Sequence, residues 1–376
     1  MPDLVTSLDE VVATQLSDLV INAVLRVELP KDAVAYETAA GTVSREDPTP
    51  ASPGDAFRIA SVTKTFTATV MLQLFAEDRC APDDPAIGHL DEESASILAD
   101  LHHFEGRSYG SSITVRQLLT HSSGLFDYAT SPRFAEALMA DPGRPWRPQD
   151  LLQGALQWGE PYFPPDGGYG YGYSDTGYVL LGLVIEKLDG RPLHESYRSR
   201  ILDPVEMRDT YLEGYEDHRG ATLLHAFAGP VDVMPLHGSA DWAGGGLVST
   251  AADLARFGRA LFAGALLGPS ELEAMQSYEF RTLDPSRHSP GFVGYGMGLE
   301  ARRYSGRLFR GHRGHWGVIF HVDPSTGLVV TGTIDQAEVR PDDLFTTAVD
   351  AADSISPPGV APIGGQPAGS GGDRAK

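Results

Sequence analysis

Ser61 and Lys64 are the residues whose types and spacing point most directly to chemistry. They bound the sequence Ser-Val-Thr-Lys, and three residues are nearly one helical turn, so the hydroxyl and the ammonium would share one face of a helix. Both would lie near the positive end of the helix dipole, which lowers the cost of a serine alkoxide. The pair therefore suggests a nucleophilic serine, although a helix-capping serine followed by a surface lysine explains the same pattern.

The segment that carries this pair is predicted to be a long, largely buried helix. Between about residues 58 and 78, apolar side chains recur every four positions with no glycine or proline between them. An amphipathic helix is predicted from the start of the chain to Leu19, and a strand hairpin for residues 23–38. A closing helix is predicted for residues 344–355. Four short strands are predicted before it, at residues 295–301, 307–310, 318–322 and 328–334.

This order of elements indicates the fold class and the domain organisation. Strands and a helix at both ends of the chain favour an α/β fold: an antiparallel sheet built from both chain ends, flanked by helices, with an inserted, mostly helical domain. The predicted boundaries place the first part of the α/β domain, with the nucleophile helix, at residues 1–79. The helical insertion follows at 80–245, and the second part of the α/β domain at 246–356. Residues 357–376, dominated by glycine and proline, are predicted to be a disordered tail.

Composition and charge narrow the class of protein. The 376 residues are 41% hydrophobic and 21% charged, as in ordinary soluble globular proteins. A formal net charge of −22 disfavours binding to nucleic acid or to anionic membrane surfaces. The single cysteine, Cys80, excludes an intrachain disulfide and a cysteine-based zinc site. No signal peptide or membrane-spanning run is evident, so a cytoplasmic location is expected, while the oligomeric state stays unknown.

Five blocks of sequence resemble motifs of the serine β-lactamase and penicillin-binding-protein superfamily, in its class C β-lactamase and DD-peptidase branch. In chain order they are Phe57–Thr67, Ile113–Leu125, Tyr173-Ser174-Asp175 where the family has Tyr-x-Asn, Gly244–Thr250, and His312-Arg313-Gly314. They follow the family's order over about residues 41–336. The resemblance implies the α/β fold of that superfamily and a serine enzyme that works through an acyl-serine without a metal or other cofactor.

The resemblance also implies a role for each matching residue. Ser61 is expected to be the nucleophile, and either Lys64 or Tyr173 to take its proton. Tyr173 can act as a phenolate only if cations such as Lys64, and His312 when charged, lower its pKa. The backbone N–H groups of Ser61 and His315 are expected to form the oxyanion hole. His312 is expected to bind the acyl carboxylate or to stabilise developing charge.

Several further residues are candidates for substrate binding. Gly314 is expected to let its strand approach the substrate closely, because a side chain there would intrude. Asp175 departs from the family's asparagine, and an ionised aspartate can only accept hydrogen bonds. This puts recognition of a peptide-like amide in doubt and would favour a charged Lys64, unless the change is tolerated drift. Four aromatic residues next to the motifs are candidates for the acyl pocket, although aromatics are as often core residues: Phe126, Tyr128, Trp242 and Trp316.

Metal and nucleotide sites are not predicted. His102 and His103 lie near Asp100, but no matched ligand spacing occurs elsewhere, and a solvated loop is the favoured interpretation. Gly168, Gly170 and Gly172 alternate without the third glycine of a dinucleotide-binding motif.

The expected function is hydrolysis of an ester or amide through an acyl-serine, as in DD-peptidases and esterases. The expected partner is a small-molecule or peptide-like acyl substrate, such as a D-aminoacyl peptide or a small acyl ester. One alternative is a cytoplasmic acyltransferase or amide synthase that delivers the same acyl group to an amine or alcohol. A second is a non-catalytic binding module that retains the fold.

Overall fold

Strands from both ends of the chain form one seven-stranded antiparallel sheet in the computed structural model, which describes residues 2–29, 34–165, 170–277 and 291–355. Seven of the strands belong to this sheet and the others to smaller sheets. In chain order, the strands of the described residues are β1 Asn22–Leu29, β2 Val34–Gly41, β3 Ala56–Arg58, β4 His103–Phe104, β5 Arg107–Ser108, β6 Tyr211–Leu212, β7 Phe227–Ala228, β8 Val231–Asp232, β9 Leu247–Thr250, β10 Phe292–Tyr295, β11 Glu300–Tyr304, β12 Arg307–Gly314, β13 Val318–Asp323 and β14 Leu328–Thr333. The large sheet has the order β10-β11-β12-β13-β14-β1-β2. This confirms the predicted fold class.

Helices cover both faces of this sheet and fill the middle of the chain. They are α1 Pro2–Ala13, α2 Thr63–Ala76, α3 Glu92–Leu101, α4 Val115–Leu119, α5 Pro132–Ala140, α6 Pro148–Trp158, α7 Asp175–Asp189, α8 Leu193–Tyr197, α9 Trp242–Gly245, α10 Ala251–Phe262, α11 Pro269–Met275 and α12 Asp342–Ile355. The predicted domain boundaries stay a prediction.

The two faces of the sheet belong to two hydrophobic cores, as the period-two alternation of a strand requires. In β1, Ala23, Leu25 and Val27 pack in a cluster with residues of α1 and α12. Val24, on the opposite face, packs in the larger cluster that contains α2 and α10. The nucleophile helix therefore lies in the larger core, beneath the sheet.

Two segments differ from the predicted elements. The first helix ends at Ala13 and does not continue to Leu19. The strand predicted over residues 295–301 is two strands, because the chain reverses between Tyr295 and Glu300. The N–H of Gly296 donates to Leu299 O (2.8 Å) in this turn, and Gly298 adopts a φ of +69°, a conformation that favours glycine. The predicted disordered tail lies outside the described residues.

A smaller antiparallel sheet, of order β3-β9-β6, leads the chain into the nucleophile helix. Phe57 pairs with Ser249, and the N–H of Ile59 donates to Leu247 O (2.9 Å) just beyond the strand. β9 therefore holds the residues immediately before Ser61. Within the described residues, no helix is long and apolar enough to cross a membrane.

Candidate active site

Ser61 lies in a tight 3-10 turn, Ala60–Val62, between β3 and α2. Ala60 has a φ of +46°, in a region that residues with a Cβ rarely adopt, and such strain is held by the surrounding structure. The helix beyond is largely buried, and two of its hydroxyls bind other segments: Thr65 Oγ1 donates to Gly298 O and Thr67 Oγ1 donates to Ala243 O. The serine is therefore presented by a rigid element.

Lys64 is fully buried and has three acceptors for its three ammonium hydrogens. Its Nζ donates to Ser61 Oγ (3.2 Å) and to Gly244 O (2.8 Å), and it forms an ion pair with Asp175. An ammonium donates three hydrogen bonds and accepts none, so these contacts fit the protonated lysine. Gly244 belongs to the site for a second reason, because a Cβ there would lie 2.9 Å from Asp175 Oδ1.

Tyr173 lies next to this lysine, with its ring centroid 4.7 Å from Lys64 Nζ. Its hydroxyl is buried and has no hydrogen-bond partner among the described residues. Burial and the charge of Asp175 raise the pKa of Tyr173 well above its ordinary value, and the neighbouring Ser61 hydroxyl lowers it only in part. The resting site therefore holds a neutral phenol beside a lysine ammonium.

His121 holds Tyr173 in place, although sequence reasoning assigned it no role. Its ring lies 4.1 Å from that of Tyr173, and its Nδ1 accepts a hydrogen bond from the N–H of Ser174 (3.1 Å). Burial, with the charge of Lys64, lowers the pKa of His121 well below its ordinary value, so the ring is neutral. Only its place beside Ser122 in the second block signalled its importance.

His312 is buried beside the same aromatic group as a neutral imidazole. Its Nδ1 lies 2.7 Å from Arg313 O, and since a carbonyl only accepts, Nδ1 carries the proton. Its Nε2 then accepts from the hydroxyl of Tyr295 (2.9 Å). Burial, together with the charge of Lys64, lowers the pKa of His312 to about 4, against an opposite effect of Glu300. His312 is therefore neutral at neutral pH, which corrects the expectation that a charged His312 lowers the pKa of Tyr173.

Gly314 and His315 lie at the end of β12, opposite the nucleophile turn. A Cβ at Gly314 would lie 2.4 Å from Ile59 O and 2.8 Å from Val318 Cβ. Close packing against the chain before Ser61 therefore gives a structural reason for this glycine, while its expected close approach to the substrate stays a prediction. The assignment of the Ser61 and His315 N–H groups to an oxyanion hole stays a prediction.

Two cavities meet at Ser61. The larger, of about 730 Å³, also has Tyr295, His312, Arg313 and Gly314 on its wall. The smaller, of about 410 Å³, reaches toward α5 and α9 and has Asp175 and Gly244 on its wall. Five residues line both: Ser61, Asp127, Thr130, Tyr173 and His315. The described site therefore offers room on both sides of the serine.

The structure places the four candidate aromatic residues differently. Tyr128 is wrong as a pocket residue, because it is fully buried and its hydroxyl donates to Ala240 O (3.0 Å). Trp316 lines the smaller cavity. Trp242 is wrong as a pocket residue: it is 1% exposed, and its ring occupies the space that Gly182 leaves free, 2.6 Å from where a Cβ would be. Phe126 is also absent from both walls and packs over Gly159 instead.

His102 is not part of a solvated loop. It is buried, and its Nε2 lies 2.9 Å from Phe163 O, a hydrogen bond in which the ring nitrogen donates. His103 Nδ1 lies 3.0 Å from Asp100 O. Each of these ring nitrogens therefore faces a backbone carbonyl.

Taken together, a Ser-Lys-Tyr group at the junction of an antiparallel sheet and a buried helix defines the serine β-lactamase and penicillin-binding-protein superfamily. The chain matches the Beta-lactamase family model over residues 10–352 and belongs to that family.

Relatives include hydrolases of different substrates. Protein Rv1367c from Mycobacterium tuberculosis (strain ATCC 25618 / H37Rv) is 30% identical over 269 residues, which are 65% of each chain. Esterase EstB from Burkholderia gladioli is 30% identical over 196 residues, 51% of this chain and 47% of the esterase. The chain thus spans about half to two thirds of these relatives' lengths. The crystal structure of a D-stereospecific amidohydrolase from Streptomyces sp. is similar with a TM-score of 0.77, at 30% identity, covering 90% of this chain and 97% of that one.

Proposed function

We propose that the protein is a serine hydrolase that cleaves an ester or amide through an acyl-serine at Ser61. The observation that carries the proposal is the contact set of Lys64, whose buried ammonium donates to Ser61 Oγ while the adjacent Tyr173 hydroxyl has no partner among the described residues. A serine hydroxyl needs a nearby base to become a nucleophile. Tyr173 is the group with a free position to accept that proton.

In the proposed reaction, the phenol of Tyr173 first loses its proton to solvent, and the phenolate then takes the proton of Ser61 while Lys64 stabilises the negative charge. Ser61 Oγ forms a bond to the substrate carbonyl carbon, and the oxyanion lies against the N–H groups of Ser61 and His315. The carbon then loses its bond to the leaving group, which receives the proton from Tyr173. A water molecule attacks the acyl-serine in the same way and releases the acid.

The substrate class is an amide or ester of small to peptide-like size. The names of the esterase and of the D-stereospecific amidohydrolase support this breadth, and the two cavities beside Ser61 leave space for both halves of such a substrate. Among amides, we choose a D-aminoacyl amide as the test substrate, because the name of the amidohydrolase indicates specificity for the D configuration.

The test is covalent trapping at the nucleophile. A serine-directed phosphonate is expected to add one equivalent at Ser61, and the Ser61→Ala variant to remain unlabelled while keeping its unfolding temperature. Absence of labelling would indicate a non-catalytic binding module. Product analysis with a D-aminoacyl amide, with and without an added amine, then separates hydrolysis from acyl transfer, since only a transferase forms the new amide.

A further inference from the structure

The smaller cavity beside Ser61 is lined by an excess of acidic side chains. Four carboxylates lie on its wall: Asp127, Asp175, Glu213 and Asp241. Arg58 is the single arginine or lysine on that wall. Neighbouring side chains balance some of these charges and leave others without a partner.

Two of the four carboxylates are paired. Glu213 accepts two hydrogen bonds from Arg58, at 2.7 Å and 2.8 Å, and Arg58 also donates to the carbonyls of residues 233, 234 and 236. Asp175 is paired with Lys64, whose other hydrogens go to Ser61 and Gly244. Lys64 thus has no hydrogen left for another acid, and the carboxylate contacts of Arg58 are both with Glu213.

Asp127 and Asp241 remain without a cation among the described residues. Asp127 is 3% exposed, and its Oδ1 accepts the N–H groups of Ala129 and Asp175, but its other oxygen has no partner there. The side chain of Asp241 makes neither a hydrogen bond nor an ion pair with the described part of the chain. Burial and the charge of Asp175 raise the pKa of Asp127 to about 8 and that of Asp241 to about 6.

A buried or half-buried carboxylate without a cation either keeps its proton or needs a ligand that supplies the missing charge. We infer that the smaller cavity binds a primary ammonium group of the substrate, held between Asp127 and Asp241 within reach of the acyl bond at Ser61. This inference rests on the proposed function, because only a hydrolase acting at Ser61 makes the bound ligand a substrate. A carboxylate group of a ligand would be repelled from the same space by the acidic side chains on the wall.

The test compares two ligands of nearly equal size, benzylammonium and benzyl alcohol, at pH 8, where histidines are neutral and Asp241 is ionised. Affinity is measured by calorimetry, and position by protection of Ser61 against the phosphonate. Benzylammonium is expected to bind at least about tenfold more tightly than the alcohol, since a charge-assisted contact is worth about that factor. It is also expected to slow labelling of Ser61.

Two variants locate the preference. Asp241→Asn keeps the shape and removes the charge, and it is expected to reduce the preference by about tenfold. Asp217→Asn is the matched control, because Asp217 is exposed and outside the cavity walls, and it changes the net charge equally.

Equal affinity of the two ligands for the unaltered protein overturns the inference, whether or not the variants fold. So does a preference that survives in Asp241→Asn or that falls equally in Asp217→Asn. Failure of the phosphonate to label Ser61 in the absence of amine refutes the proposed function instead. The calorimetric comparison would then still report on the cavity.

Discussion

Asp175 offers the sharpest test of which group takes the proton of Ser61. Its carboxylate contacts Lys64 and raises the pKa of the adjacent Tyr173. Two unit charges about 5–7 Å apart interact by about 2–3 kcal/mol at an effective dielectric constant of about 20. One pKa unit corresponds to about 1.4 kcal/mol. Removal of this charge in Asp175→Asn is therefore expected to lower the pKa of Tyr173 by about one to two units.

The sign of the effect on activity follows from the role of a base. Tyr173 acts as the phenolate, so kcat/KM rises with pH as the phenol loses its proton. A lower pKa moves this rise, the acid limb of the profile, to lower pH by about one to two units in Asp175→Asn. An uncharged substrate such as p-nitrophenyl acetate should be used, so that the substrate does not itself respond to the carboxylate.

Two further variants complete the experiment. Asp175→Glu keeps the charge and should keep the acid limb close to that of the unaltered protein, while Tyr173→Phe should lose most of the activity. Thermal unfolding of each variant checks that it is folded. If the acid limb of Asp175→Asn stays in place or moves to higher pH, Tyr173 is not the base and the reasoning fails.

Three other predictions test the site and its support. Peptide mapping should place the phosphonate adduct on Ser61, and an adduct on Ser122 or Ser174 would contradict the assignment. Gly314→Ala should lower the free energy of unfolding by about 1–3 kcal/mol in a urea titration, because a Cβ meets Ile59 O at 2.4 Å. The control Gly54→Ala, with no atom within 4 Å of the new Cβ, should change it little. Burial lowers the pKa of His312 to about 4, so as the pH falls the unfolded chain binds this proton before the folded protein does. The free energy of unfolding should therefore fall by about 3 kcal/mol more than in His312→Gln between about pH 6.5 and pH 4. An equal fall in both proteins would refute this prediction.

The parts of the site that could be predicted from the sequence are those within one helical turn or one motif. Ser61 and Lys64 are three residues apart on a helix, so their contact follows from helical geometry and is observed at 3.2 Å. The four strands near the chain's end were also predictable, because a strand pattern lies within a few consecutive residues. The turn at Gly296–Leu299 was not predicted. In that turn, Gly298 packs against Ala68, a distant residue, and a Cβ on it would lie 2.4 Å from the alanine Cβ.

Contacts between distant segments could not be predicted in this way. The aromatic ring of Trp242 sits next to a motif, which suggested a pocket residue, but its burial depends on the absence of a side chain at Gly182, sixty positions earlier. The hydrogen bond from Tyr295 to His312 likewise depends on the sheet bringing β10 and β12 to the same end. Without an observed fold, neither the tautomer of His312 nor its low pKa can be inferred.

The departure from the family's asparagine at Asp175 links the base to the charge of the smaller cavity. With an asparagine at this position, the positive charges of Lys64 and Arg58 would face Asp127, Asp241 and Glu213, and a single negative charge would remain unbalanced. Asp175 instead forms the ion pair with Lys64. Both Asp127 and Asp241 are then without a cation among the described residues. The same carboxylate therefore raises the pKa of Tyr173 and increases the demand of the cavity for a cationic ligand. Asp175→Asn should consequently weaken the preference for benzylammonium while it extends activity to lower pH, and the two effects share one electrostatic cause.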